Sequence, residues 1–191
     1  VSGQNTTING TGLEATANTT NSITVNGTVI TVPAAQFTSN VILGYAPLGV
    51  QFTDTSLNLP VSWTWDFGDG GSSSLQDPVH TFYNGGQYAV VLTAANLAGA
   101  GNFTSNISVY APGFSAIPNS GRAPFTVTFT DTGAGYPPPT AWYWDFGDNS
   151  SRSLRNTTHQ YTLPGTYDVR FRVTGPAGTA WVNQSAAVTI T

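Results

Sequence analysis

The chain has 191 residues, room for one or two domains, with only 7% charged residues, a net charge of −4 and no cysteine. All five basic residues are arginine, so the clustered Lys and Arg that nucleic acid or an anionic membrane surface requires are missing. Disulfide staples are excluded outright, and no apolar run approaches the roughly 18 residues of a membrane-spanning helix.

Residues 1–36 are rich in Thr, Asn and Gly, with no aromatic residue and a single charge at Glu14. Such a composition cannot close a core by itself. Within it, 22–32 is β-branched almost throughout, and Asn26-Gly27 at its centre is a strong two-residue hairpin signal. The stretch predicts either a small hairpin or one long strand. As a strand, Ile23, Val25, Val29 and Ile30 would supply the side chains for adding to an exposed sheet edge, its own or that of a second copy. In the second case residues 1–36 are an assembly segment and copies of the chain are the partner.

From 37 to 111 the pattern becomes that of short strands. Leu48, Val50 and Phe52 alternate with Gly49, Gln51 and Thr53, the period of a half-buried strand. Trp63, Trp65 and Phe67 share one face of the next strand, and a turn-rich loop follows. Tyr88, Val90, Leu92 and Ala94 form another inward row, and Phe103, Ser105, Ile107 and Val109 a last one. Residues 112–191 repeat this plan with Phe125, Val127 and Phe129, then Tyr167, Val169, Phe171 and Val173. No stretch reads as a helix. Strict alternation in turn-punctuated strands predicts an all-β chain of two tandem sandwiches behind a strand-rich N-terminal segment. At 75 to 80 residues each, they sit near the lower size limit for a stable core. Nearly all large residues are therefore expected inside.

The duplication is explicit. Trp65, Asp66, Phe67, Gly68 and Asp69 recur as Trp144, Asp145, Phe146, Gly147 and Asp148. His80 and His159 follow at the same distance, then Gly86-x-Tyr88 and Gly165-x-Tyr167. Upstream, Phe52-Thr53-Asp54-Thr55 is echoed by Phe129-Thr130-Asp131-Thr132, two residues out of step. This motif and its surroundings closely resemble the PKD domain, an immunoglobulin-like β-sandwich first noticed in polycystin. The resemblance covers 37–111 and 112–191 and leaves residues 1–36 unmatched. It implies an extracellular module, often in tandem in archaeal surface proteins or accompanying secreted hydrolases, with roles in spacing, adhesion and protein contact. It carries over no catalytic residue.

The residues themselves weigh in the same direction. Asp66 and Asp69, like Asp145 and Asp148, flank a turn, where aspartate caps backbone amides more often than it performs acid–base chemistry. Asp54, Asp66, Asp69 and Asp77 are the candidate calcium ligands, without any Asp-x-Asp-x-Asp-Gly loop. No zinc spacing, nucleophile motif or phosphate loop is present, so neither catalysis nor a cofactor is expected. Tyr136, Tyr143 and Trp181 are the outward aromatic candidates for a contact or carbohydrate-binding platform. Nine Asn-x-Ser/Thr sequons begin at Asn5, Asn9, Asn18, Asn26, Asn102, Asn106, Asn149, Asn156 and Asn183, where composition alone gives roughly 3 or 4. The excess points to N-linked glycans, which would also keep a low-charge surface soluble. With a chain that starts at Val1, it makes a processed, exported protein the expectation. The leading expectation is a structural subunit of an extracellular filament, sheath or surface layer. The alternative is a monomeric adhesion or carbohydrate-binding module.

Overall fold

The computed structural model describes the backbone at 6–10, 13–18 and 21–191, and side chains from residue 21 onward. Every regular element among these residues is a β-strand. Thr6–Gly10, Leu13–Asn18, Ser22–Val25 and Thr28–Thr31 form a four-stranded antiparallel meander in chain order. Asn26 and Gly27 take φ of 48° and 79° between the last two strands. Left-handed φ at both central residues matches the right-handed twist of a hairpin, and Asn-Gly tolerates it best. The stretch 22–32 is therefore a hairpin and not one extended strand. Ile23 and Val25 stand on one arm, Val29 and Ile30 on the other, with Ile23 opposite Ile30. Carboxamides from the first repeat hold its end: Asn96 Nδ2 donates to the Thr31 carbonyl at 2.7 Å, and Asn58 Nδ2 to that of Val32 at 3.0 Å.

The chain divides into two compact units, Val1–Ile42 with Gly49–His80 and Tyr88–Ile107, and Leu43–Leu48 with Thr81–Gln87 and Ser108–Thr191. Each repeat builds the same pair of sheets. In the first, Leu48–Asp54 lies between Phe37–Ser39 and Val79–Phe82. The facing sheet runs Gly99–Ala111, Gly86–Asn96, Ser62–Asp66 and Ser72–Ser73, with Leu43–Tyr45 joining Ser108–Tyr110 in parallel. In the second repeat Phe125–Asp131 lies between Phe114–Ile117 and Thr157–Tyr161. Its facing sheet runs Ser120–Gly121, Gly178–Ile190, Gly165–Gly175, Ala141–Asp145 and Ser151–Arg152, the first pair again parallel.

Each inward row expected from alternation has a buried part, while Leu48, Trp63, Tyr88, Phe103, Ser105, Phe125 and Tyr167 on those rows are half-buried. Trp65, Phe52, Phe67, Phe82 and Leu92 are fully enclosed, as are Trp144, Phe129, Phe146, Tyr161 and Phe171. Around Trp65 the rings of Phe37 and Phe52 lie at 5.0 and 5.5 Å. Around Trp144 those of Phe114, Phe129 and Phe171 lie at 5.3, 5.5 and 4.1 Å. The expectation that nearly all large residues lie inside does not hold. Leu57, Leu59, Val61 and Leu97 are 65 to 86% exposed. They sit on loops and strand ends, while the space between two narrow sheets takes one layer of inward side chains.

Trp65→Ala and Trp144→Ala should each cost about 3–5 kcal/mol, the range for truncating a large buried aromatic. Urea unfolding of the two variants beside the parent chain measures this, and a loss below 1 kcal/mol at either site would contradict the equivalence of the two cores.

Candidate functional site

The repeated motif folds into the same polar device twice. Gly68 and Gly147 sit at φ of 78° and 81°, where a side chain would be strained and its Cβ would press on the backbone of Ala89 or Asp168. The preceding aspartate caps that turn: Asp66 Oδ1 accepts from the Gly68 amide at 2.9 Å, and Asp145 Oδ1 from that of Gly147 at 3.0 Å. The second aspartate caps the next residues and receives the histidine. Asp69 takes the Gly71 amide at 3.0 Å and meets His80 Nε2 at 2.8 Å. Asp148 takes the Ser150 amide at 3.1 Å and meets His159 Nε2 at 2.7 Å. Each imidazole stacks flat on the motif phenylalanine, with centroids 4.0 Å apart for Phe67 and His80 and 4.2 Å for Phe146 and His159. Burial raises the Asp69 carboxyl, but the bonds from His80 and the Gly71 amide outweigh it, so the group sits below the usual carboxylate range. Asp148 is shifted the same way: burial raises it, and the Ser150 hydroxyl, His159 and the Ser150 amide lower it further.

A second pair of devices closes the other end of each sandwich. Asp54 Oδ2 accepts from Trp63 Nε1 at 2.8 Å, and Asp131 Oδ2 from Trp142 Nε1 at 3.0 Å. The two residues by which the repeats differ in spacing fall inside this loop, yet the bond is kept. Asp77 Oδ1 accepts from the Asp54 amide at 2.8 Å, so Asp77 is a backbone cap as well. The four candidate calcium ligands thus accept hydrogen bonds from the protein itself, Asp66 and Asp69 at the motif turn and Asp54 with Asp77 at the other end. Among the described residues no three His, Cys, Asp or Glu side chains group as a metal site.

The six sequon asparagines whose side chains are described, Asn26, Asn102, Asn106, Asn149, Asn156 and Asn183, are all exposed. Asn5 lies outside the described residues, and Asn9 and Asn18 are described in backbone only. Asn156 replaces Asp77 in the second repeat, its Oδ1 accepting from the Asp131 amide at 2.9 Å. A glycan there would be carried on Nδ2.

Of the three outward aromatics, the fold brings two together. Tyr143 and Trp181 meet edge to face at 6.2 Å, and the Arg172 guanidinium lies over both rings, at 4.9 and 5.3 Å. Tyr136 is exposed on the loop after Ala134–Gly135. Arg172 went unrecognised in the sequence as a member of this group. Comparison with the equivalent Thr93 of the first repeat is the signal that could have exposed it. Next to the stack, Asp145, Gly147, Asn149, Thr166, Asp168 and Arg170 line an open cavity of about 390 Å³.

Duplicate immunoglobulin-like β-sandwiches, each organised by a turn-capped Trp-Asp-Phe-Gly-Asp, define the class. The PKD domain family matches residues 31–111 and again 109–190. The chain belongs to that family. Similar solved structures include the PKD1 domain of Vibrio cholerae metalloprotease PrtV, 30% identical, covering 41% of this chain and 96% of that one, with a TM-score of 0.37. The PKD1 domain of Vibrio anguillarum Epp has the same identity and score, covering 41% and 93%. A Methanosarcina mazei protein solved by NMR is 42% identical over 40% of this chain and 52% of its own, with a TM-score of 0.34.

The depressed Asp69 and Asp148 groups tie stability to pH. A carboxyl lowered in the folded chain contributes fully above its unfolded value, about 3.9, and the contribution disappears as pH falls through the folded value. Thermal melts should lose this contribution on the acid side, below about pH 4. Asp69→Asn and Asp148→Asn should each shrink that acid-side drop. An acid profile identical to the parent's in both variants would contradict the assignment.

Proposed function

We propose that this chain is a non-catalytic, N-glycosylated module of the cell exterior that associates with copies of itself. The observation that carries the reading is the use made of the motif. In both repeats the aspartates, the histidine and the core tryptophan are engaged with backbone amides, carbonyls and a stacked ring. The most chemically capable residues of the chain thus serve the scaffold, as befits a module whose work is done by its surfaces. Membership in the PKD family and the exposed sequons support an extracellular setting.

Self-association is assigned to the N-terminal meander. Among the described residues Thr28–Thr31 is the last strand of that sheet, and Val29 on it is 64% exposed. An edge strand of β-branched residues is a template for pairing with another chain, and one lysine on such an edge suppresses it. Repetition of the contact from copy to copy gives an open filament. In this form Val29 and Ile30 lie at the joining edge, while Ile23 and Val25 support it from the adjacent strand.

Light scattering of full-length chain should show multi-subunit particles, and Val29→Lys should reduce them to monomer that keeps the parent's β-sheet circular-dichroism spectrum. Particles that persist in Val29→Lys would end the edge-pairing reading. Intact mass spectrometry of the protein from its natural source should exceed the 20.0 kDa polypeptide by several glycans, with Asn102, Asn106 and Asn183 occupied. A bare-polypeptide mass would rule out the glycoprotein.

A further inference from the structure

The two repeats act as an internal control for each other. On the inward side they agree, tryptophan for tryptophan and apolar residue for apolar residue. On the outward side of the long sheet they part. Where the second repeat has Tyr143, Asp168, Arg170, Arg172 and Trp181, the first has Thr64, Ala89, Val91, Thr93 and Asn102. The first repeat forms the same sheets without the first set, so the fold does not require it. Those five residues are neighbours on one face. Arg172 pairs across the strands with Tyr143 on one side and Trp181 on the other, and Arg170 with Asp145 and Asn183.

We propose that this outward face of the second repeat, from the Tyr143–Arg172–Trp181 stack to the cavity between Asp145 and Asp168, binds a short neutral oligosaccharide. A sugar ring presents two kinds of surface, a face of C–H groups and an edge of hydroxyls, and the site offers one match to each. The Trp181 and Tyr143 rings give an apolar surface with a polar tip, the type of side chain favoured at contacts that are apolar on one side and wet on the other. Arg172 lies over both rings, and cation–π attraction holds them in place before a ligand arrives.

Beyond the stack the character changes to hydrogen bonding. Asp168 is oriented through Oδ1 by the Ala186 amide at 2.8 Å, and Asp145 through Oδ1 by the Gly147 amide at 3.0 Å. Each carboxylate has a second oxygen with which to accept a hydroxyl, and Arg170 between them supplies several donors. Asp145 and Asp168 balance Arg170 and Arg172, which leaves no excess positive charge for an anionic ligand. From Asp168 to Arg172 the strand runs four residues, about 13 Å, so the site has the length of a short chain rather than of one ring. Such a chain has two sources: an N-glycan on this or a neighbouring copy, for which Asn149 and Asn183 lie at the site itself, or a free surface polysaccharide.

The test uses full-length chain produced without glycosylation. It is applied to an array carrying the N-glycans released from the natural protein and, separately, neutral gluco-, manno-, galacto- and N-acetylhexosamine oligosaccharides. Binding is expected, with a change in tryptophan fluorescence on titration that Trp181→Ala abolishes. Trp181→Ala and Asp168→Asn should weaken it about tenfold or more. Thr93→Ala, at the equivalent place in the first repeat, should not. Trp181 is about half exposed, 49%, and Asp168 lies on the surface, so both variants should keep the parent's melting temperature. Capture of the released glycans alone identifies a glycoprotein contact, and capture of the plain oligosaccharides alone a polysaccharide. Failure of the parent chain to bind either set, or binding that both variants leave unchanged, overturns the proposal. Val29→Lys leaves this site intact, so the outcome is independent of self-association.

Discussion

Enclosing an indole at the centre of a sandwich this small obliges the chain to bring a hydrogen-bond acceptor to its ring nitrogen, because a buried unpaired N–H is costly. Both repeats meet the requirement identically. Trp65 Nε1 donates to the carbonyl of Leu75, and Trp144 Nε1 to that of Leu154, each at 2.8 Å. The loop that delivers this carbonyl begins with the motif turn, whose shape is set by the glycine at positive φ and the aspartate that caps it. The stacked histidine then joins the turn to the opposite sheet. The motif is therefore a unit in which burial of one residue dictates the identity of its followers.

The same logic explains where the repeats are free to differ. The loop between Asp54 and Trp63 is two residues shorter than the one between Asp131 and Trp142, and both ends are fixed by the same carboxylate–indole bond. Length between two clamped ends is tolerated because the loop is solvated and adds little loop-closure entropy. Outward positions of the sheet are freer still. There the second repeat has gathered aromatic and charged side chains, while the first has only uncharged, non-aromatic ones, Thr64, Ala89, Val91, Thr93 and Asn102. In a duplicated chain, such asymmetry separates what a surface does from what the core needs.

The N-terminal meander obeys a different constraint. It has no aromatic residue among its strands, and the Asn96 and Asn58 carboxamides capture the carbonyls at its end. At that end, side-chain amides supply contacts to the first repeat. Among the described residues Thr28–Thr31 is left as the last strand of that sheet.

By itself the sequence determined the duplicated all-β plan, the inward rows and the special place of the two motifs. These are local properties, since side chains alternate with a period of two along any strand, and glycine beside aspartate announces a turn. It left open whether 22–32 is a hairpin or a strand. Both conformations suit β-branched residues, and only pairing with Leu13–Asn18 and the placement of Asn26-Gly27 distinguish them. The stack of Tyr143, Arg172 and Trp181 was beyond its reach for a related reason. Three residues from three strands become neighbours only when cross-strand register is set, and register follows from the packing of the whole inner face. The joining of Asp148, His159 and Phe146 into one cap has the same origin, as does the cavity beside Asp168. Chemistry borne by single residues is legible along the chain, whereas chemistry that arises between strands belongs to the tertiary structure.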